Sequence, residues 1–225
     1  MVQENTKEGY ALKVRVKFAK EGAMKFIGHL DIMRYFQKAV KRANLDVAFS
    51  EGFSPHMIMS FASPLGVGIT STGEYFDMEL KSATTSSDMV KRLNDAMAEG
   101  MKILSIRQVE NGKASKAMSL VAAADYRLKF RETAKLPENW KEKLEEFKAQ
   151  KEIVILKKTK KSEKELDIRP FIYKLSLEEK DEIFMQLAAG SSNNTKPELV
   201  MEAFAAFMEI SYENLKFMIH RCELY

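Results

Sequence analysis

Apolar and polar residues alternate in two short segments, Val14–Phe18 (VRVKF) and Tyr126–Phe130 (YRLKF), which lie 112 positions apart. Strict alternation is typical of a strand that buries one face. Two similar segments at a fixed separation indicate an internal repeat. The pattern therefore predicts two copies of one structural unit.

Three later elements of the first half have counterparts at the same offset. They are a strand at Glu74–Leu80 that maps onto Gln186 and its neighbours, a helix at Ser87–Ala98 that maps onto Glu198–Met208, and a strand at Lys102–Val109 that maps onto Asn214–Arg221. Each half then reads strand, helix, strand, loop, strand, helix, strand. This is the split βαββαβ order of ferredoxin-like units.

We therefore expect the α+β fold class, with tandem duplicated ferredoxin-like units at residues 10–110 and 117–225. The polar segment Glu110–Lys116 (ENGKASK) is the predicted linker. In the second half Ile153–Leu156 is predicted to be a buried strand. Both halves carry extra sequence between their second and third strands, Ser50–Gly73 and Lys157–Lys180, and function concentrates in such loops.

Composition narrows the class of protein. The chain has 225 residues, of which 45% are hydrophobic and 30% are charged, and one cysteine. A single cysteine forms no internal disulfide and no zinc ribbon or iron–sulfur cluster, so we expect no cofactor and a reducing, cytoplasmic location. The longest stretch without Lys, Arg, Asp or Glu, Gly52–Gly73, is broken by prolines and glycines, so we expect no membrane span.

Positive charge is concentrated near the N-terminus, although the net charge is only +4. In the helix predicted at His29–Ala43, one arc is apolar and the opposite arc carries four basic residues: Arg34, Lys38, Lys41 and Arg42. A solvated helix face and a stripe that follows nucleic-acid phosphates both account for this arrangement.

The start of this helix, Gly28-His29-Leu30-Asp31, is a second candidate site. Asp31 in the first turn suits the helix dipole and pairs with a cation three residues on. His29 suits either acid–base catalysis or a capping and packing role.

The segment SEGFSPHMIMSF, from Ser50 to Phe61, predicts a turn that exposes Phe53, Ser54 and His56. An exposed Phe beside basic residues stacks on a nucleobase, whereas a Phe tucked under its own loop only packs.

His29, Asp31, His56 and Glu74 together are the candidate catalytic cluster. They lack the short spacing of His or Cys pairs that marks a metal site, so we expect no metal. His220 and Cys222 lie two apart on the last predicted strand, where parallel side chains indicate packing and not a nucleophile–base pair.

In the second half, Lys157, Lys158, Lys160 and Lys161 form either a flexible arm for RNA or a solubilising loop. Arg169 follows between apolar neighbours, and we expect it to be oriented against a carboxylate or a phosphate.

Five segments together resemble a known bacterial family, the radical-SAM-linked domain of unknown function. They are VRVKFAKEGAMKFIGHLDIMRYFQKAVKRA, SEGFSPH, PLGVGITSTGEYFDMEL, ELDIRPF and IHRCELY. The resemblance spans essentially the whole chain. It implies a radical SAM protein as partner and a role in RNA or ribosome-associated modification.

The chain lacks the CxxxCxxC motif of a radical SAM enzyme, so the resemblance implies an accessory protein. Our first hypothesis is a non-catalytic module that binds tRNA or rRNA, or presents a substrate, through Arg34, Lys38, Lys41, Arg42, Phe53, Ser54 and Arg169. The alternatives are an RNA-processing or metal-assisted enzyme at the candidate catalytic cluster, and a module that only binds proteins.

Overall fold

The computed structural model describes residues 11–110, 112, 115–158, 163–190 and 193–225. The chain divides into two compact units, one up to Val121 and the other from Ala122 onward, with Leu224 grouped with the first. Within the described residues, no helix has the length and apolar content that crossing a membrane requires.

Among its described residues, the first unit has four strands and three α-helices. In chain order they are β1 (Leu12–Lys20), α1 (His29–Arg42), β2 (Met59–Phe61), β3 (Thr70–Leu80), α2 (Ser86–Asp95), β4 (Met101–Gln108) and α3 (Ala117–Leu120). The strand order is β4-β1-β3, with β2 paired to β3, and these pairs are antiparallel.

In the part of the second unit that the structure describes, there are six strands and two α-helices. They are β5 (Ala123–Phe130), α4 (Trp140–Lys148), β6 (Val154–Lys158), β7 (Glu163–Asp167), β8 (Ile172–Leu177), β9 (Glu182–Ala188), α5 (Pro197–Phe207) and β10 (Phe217–Leu224). The strand order is β10-β5-β9-β8, and β6 and β7 form a separate antiparallel hairpin. Both units are α+β.

An aromatic cluster of four phenylalanines forms the centre of the first unit's core. Phe18 of β1 packs edge-on against Phe36 of α1 at 4.7 Å between ring centroids. Phe76 of β3 lies 4.7 Å from Phe36, and Phe61 of β2 lies 5.1 Å from Phe76. Aromatic pairs at such distances add about 0.5–1.5 kcal/mol each beyond their burial. The cluster therefore joins α1 to three strands.

The opposite face of the same sheet carries a buried ion pair. Arg15 of β1 faces Asp77 of β3 in the strand register, and its Nε donates to Asp77 Oδ1 at 2.7 Å. The Asp77 side chain is 2% exposed. Its Oδ2 also accepts the backbone N–H of Ala117 at 2.8 Å, while Arg15 Nη2 donates to the carbonyl of Ser115. The pair thus fastens the segment before α3 to the sheet.

The constant offset between the halves holds for some elements and fails for others. α5 begins at Pro197, one residue before the helix predicted at Glu198–Met208. The offset predicts a strand that begins at Gln186, but the observed strand β9 already ends at Ala188. β10 likewise begins at Phe217 and not at Asn214. The loops of the two halves differ in length, so a single offset cannot align every element.

The strands near the two predicted loops differ from the expectations. The strand predicted at Ile153–Leu156 does form, as β6, but it belongs to the β6–β7 hairpin and is not buried. Ile153 is buried just before it, whereas Val154 is 53% and Leu156 61% exposed. The strand that pairs with β9 at the end of this unit's strand order is instead β8, which lies within the predicted Lys157–Lys180 loop. In the first unit, β2 has only three residues and lies inside the predicted Ser50–Gly73 loop.

Replacing Asp77 with Ala is expected to destabilise the first unit by roughly 3–5 kcal/mol, because it leaves the Arg15 guanidinium buried without its counter-ion. Chemical denaturation followed by circular dichroism measures the loss. The matched control is Asp95→Ala, which breaks the exposed 2.7 Å pair with Lys91 and should cost less than about 1 kcal/mol. Equal losses in the two variants would contradict a structural role for the buried pair.

Candidate nucleic-acid interface

α1 separates apolar and basic side chains onto opposite faces. Ile32, Phe36, Ala39 and Val40 are buried against the core of the first unit. Arg34, Lys38, Lys41 and Arg42 are exposed on the other side. Asp31 is the only acidic residue in the helix. The exposed face, which we call the basic face, is thus a patch of net positive charge on a rigid element.

The four cations of the basic face differ in how they are held. Arg34 lies 3.4 Å from Asp31, but the two side chains are 73% and 66% exposed, so this pair contributes little. Arg42 Nη2 donates to the carbonyl of Ala96 at 2.9 Å, which ties it to the end of α2. Lys38 and Lys41 are exposed. Arg34, Lys38 and Lys41 are therefore the residues best suited to bind an anion.

The loop from Ser50 to His56 is closed by its own hydrogen bonds. Ser50 N–H donates to the His56 carbonyl at 2.9 Å, and His56 N–H donates to Ser50 Oγ at 3.1 Å. Gly52 adopts a φ of +103°, which the turn requires and which other residues rarely adopt. The closure leaves Phe53 fully exposed at the tip, with Ser54 exposed beside it. Phe53 is not tucked under its own loop.

His29 and Glu74 line one small cavity at the start of α1. His29 is the first helical residue, and its ring meets Phe61 edge-on at 5.5 Å. Glu74 pairs with Phe18 across β1 and β3 and is 3% exposed. It lies on the core face because Phe76, two residues on, does so too.

The cavity also contains Lys20, which is 2% exposed and which the sequence pattern did not indicate. Lys20 Nζ donates to the carbonyl of Ile27 at 2.8 Å, just before α1. Alternation along β1 places Lys20 on the same face as Phe18, but a lysine is rarely expected to be buried there. The cavity leaves about 10 Å³ for the centre of a water molecule, roughly one water. This space suits a polar cluster that fixes the helix start, and it does not admit a substrate.

The other two members of the candidate catalytic cluster lie elsewhere. Asp31 faces solvent beside Arg34, and His56 is exposed with its Nδ1 2.8 Å from Ser50 Oγ. Within the described residues no group of three or more His, Cys, Asp or Glu is arranged to hold a metal ion. The structure thus brings together His29 and Glu74 only.

In the second unit, Arg169 is held by the backbone. Its Nε donates to the carbonyl of Gln150 and its Nη1 to the carbonyl of Ile172, both at 3.1 Å. The carboxylate of Asp167 accepts the N–H groups of Arg169 and Ile153 and not the guanidinium. Lys160 and Lys161, two of the four lysines expected to form either an RNA arm or a solubilising loop, lie outside the described residues.

Cys222 is a half-buried thiol in β10. Burial raises the pKa of Cys222 above its ordinary value, and the charges of Asp125 and Glu182 act in the same direction against the opposing effect of Arg127. A thiol of raised pKa is mostly protonated at neutral pH, and the protonated form is a poor nucleophile. Cys222 therefore suits packing.

Comparison with known proteins identifies the family. Residues 13–197 match the model of an uncharacterized protein family conserved in bacteria (DUF2344). This covers most of the chain, and the protein belongs to that family. No curated protein matches the sequence.

Two solved structures are similar to this chain. One is a chain in the crystal structure of a Cbf5-Nop10-Gar1 complex, with 11% identity and a TM-score of 0.46, covering 94% of this chain and 48% of that chain. The other is an unknown protein from Galdieria sulphuraria, with 14% identity and a TM-score of 0.28, covering 96% and 99%. This chain spans about half the length of the first.

Alkylation of Cys222 by iodoacetamide is expected to be slower at pH 7 than that of a free cysteine in a short peptide, since the raised pKa lowers the thiolate fraction. The rate, followed by mass spectrometry, should still be rising at the ordinary thiol pKa of 9.0. The urea-unfolded chain is the control and should react like the peptide. Rapid labelling of the folded chain with a midpoint well below 9.0 would contradict the packing role.

Proposed function

We propose that this protein is an RNA-binding, substrate-presenting accessory of a radical SAM enzyme, acting in the modification of RNA or of ribosome-associated substrates. The observation that carries the proposal is the basic face of α1. Aligned Lys and Arg side chains neutralise backbone phosphates and bind RNA through a salt-dependent contact.

Rigid support for the basic face favours binding over a merely solvated surface. Phe36 anchors α1 in the aromatic cluster, and Arg92 of α2 donates from Nε to the carbonyl of Ala43 at the C-terminal end of α1. A helix fixed at its centre and its end presents Arg34, Lys38 and Lys41 with little further loss of conformational entropy on binding.

Phe53 supplies the second component that single-stranded RNA requires. A fully exposed aromatic ring at the tip of a closed loop is available to stack on a base, and every base has a face for stacking. The neighbouring Ser54 is exposed and offers a hydroxyl to a phosphate or sugar. We therefore include both residues in the proposed RNA contact.

We also propose that the two units are tandem copies of a ferredoxin-like fold. The order β4-β1-β3-β2 in the first unit has a counterpart in β10-β5-β9-β8 of the second, if the β6–β7 hairpin is treated as an insertion. When these four strands are numbered in chain order within each unit, both units have the spatial order 4-1-3-2. This supports a duplication, and RNA-recognition modules with this βαββαβ order are common.

The radical SAM partner rests on the motif resemblance of the sequence. This chain has one cysteine, so the three cysteines that a radical SAM cluster requires would belong to the partner. An accessory protein of this kind would bring RNA to the enzyme.

Replacing Arg34, Lys38 and Lys41 together with Ala is expected to weaken binding to single-stranded RNA. The slope of the logarithm of the binding constant against the logarithm of salt concentration should fall by about 2, since each single-strand phosphate contact contributes about 0.7. Fluorescence anisotropy with a labelled oligonucleotide over a salt series measures both effects. Arg42 is left intact because it holds α2.

The matched control replaces Lys81, Lys91 and Lys102 with Ala, which removes the same charge from exposed positions of the same unit. It should leave the slope nearly unchanged. Phe53→Ala, which removes no packing, should weaken binding by about 1–3 kcal/mol without changing the slope. Equal weakening by the two triple variants would mean that net charge, and not the basic face, binds the RNA.

Affinity purification of this chain from a bacterium that encodes it is expected to recover a radical SAM protein together with RNA. Mass spectrometry identifies the protein, and sequencing identifies the nucleic acid as tRNA or rRNA. Ribonuclease treatment before elution separates direct from RNA-bridged association. Recovery of proteins without any radical SAM enzyme would refute the partnership, and recovery of a protein partner without RNA would favour a protein-binding module.

A further inference from the structure

The second unit contains a cationic pocket, distinct from the basic face of α1. Lys148 from the end of α4, Arg169, and Lys174 of β8 line it, together with Tyr173 and three aliphatic side chains. The space available to the centres of water-sized groups is about 170 Å³. Among the described residues, no Asp or Glu lines this pocket. Three cations that share a cavity without an acid repel one another unless an anion joins them.

Among the described residues, no acidic side chain pairs with the Arg169 guanidinium in the pocket. The carbonyls of Gln150 and Ile172 accept from Nε and Nη1, so the guanidinium is oriented by neutral groups. Its nearest acid by sequence, Asp167, is occupied by backbone N–H groups. The described residues accept hydrogen bonds from Nε and Nη1, so Nη2 is available to donate to a ligand. A planar guanidinium held in a fixed orientation is well suited to bind a phosphate.

A β-bulge brings two further side chains to the same pocket. Ile172 pairs with Leu187 of β9, but Lys174 pairs with Gln186, so Tyr173 is an extra residue in β8. Adjacent residues of a regular strand point to opposite faces, whereas a bulge re-aims them. Tyr173 and Lys174 consequently both line the pocket, and Tyr173 remains 55% exposed.

Lys148 and Lys174 have modest competing contacts. Lys148 Nζ lies 2.8 Å from Glu145 on the solvent side of α4, where the two side chains are 43% and 57% exposed. Lys174 Nζ lies 4.8 Å from the centroid of the Phe184 ring. Because both contacts are weak, an anion in the pocket can attract both ammonium groups.

We propose that this pocket binds the phosphate of a nucleotide, with the phosphate on Arg169, Lys148 and Lys174 and the base stacked on Tyr173. The volume suits a phosphate and part of its sugar, and it is too small to enclose a whole nucleotide. The base therefore lies at the rim, where the ring of Tyr173 is exposed. The nucleotide is either free or part of an RNA strand, and only the second case rests on the proposed function.

Isothermal titration with adenosine monophosphate tests the site, with inorganic phosphate and adenosine as part-ligands. The variant with Lys148→Ala and Lys174→Ala should bind the nucleotide at least about tenfold more weakly. The control with Lys129→Ala and Lys135→Ala removes the same charge from exposed positions of the same unit and should bind normally. Tyr173→Ala should weaken binding of the nucleotide but not of inorganic phosphate. Arg169 is left unchanged because it also holds the backbone.

Single-stranded RNA forms the second arm of the test, with the basic face intact. If the free nucleotide does not bind at about 10 mM but the double variant loses RNA affinity, the site serves a phosphate within an RNA strand. If the nucleotide binds and RNA does not, the pocket is a free-nucleotide site, and the proposed RNA-binding function fails separately. If neither ligand distinguishes the double variant from its control, the pocket proposal is wrong.

Discussion

The packing of α1 on its sheet through the phenylalanine cluster is the constraint on which the first unit depends. Phe36 meets Phe18 and Phe76 at the same distance of 4.7 Å, so the helix is held from two strands at once. This contact fixes the rotation of α1 about its axis. The direction of the basic face, and the contact of the half-buried His29 ring with Phe61, both follow from that rotation.

Charge in this protein is divided between buried and exposed positions with different physical consequences. Asp77 and Arg15 are neutralised by each other inside the first unit, where an unpaired charge is costly. Lys38 and Lys41 are in water, where a charge costs little and remains available to a ligand. The modest net charge of +4 conceals this division.

Long, regular segments could be predicted from the sequence, and short or irregular ones could not. β1 and α1 follow from strict alternation and from an amphipathic helical period. β2 has three residues, too few for any period to appear, and the bulge in β8 breaks the alternation on which strand prediction depends. At the candidate site, the exposure of Arg34 and its neighbours followed from the helix period. The burial of Lys20 did not, because a lysine is rarely fully buried, although alternation places it on the same face of β1 as Phe18.

The bulge at Tyr173 also bears on the solubility of the isolated chain. β8 ends the strand order of the second unit, and its neighbour among the described strands of that unit is β9 alone. A regular edge strand offers unpaired backbone groups to any other strand and so promotes aggregation. An extra residue in β8 interrupts that ladder and increases the local twist, while Lys174 adds a charge beside it. Removing the irregularity would create a flatter edge that joins other chains more readily.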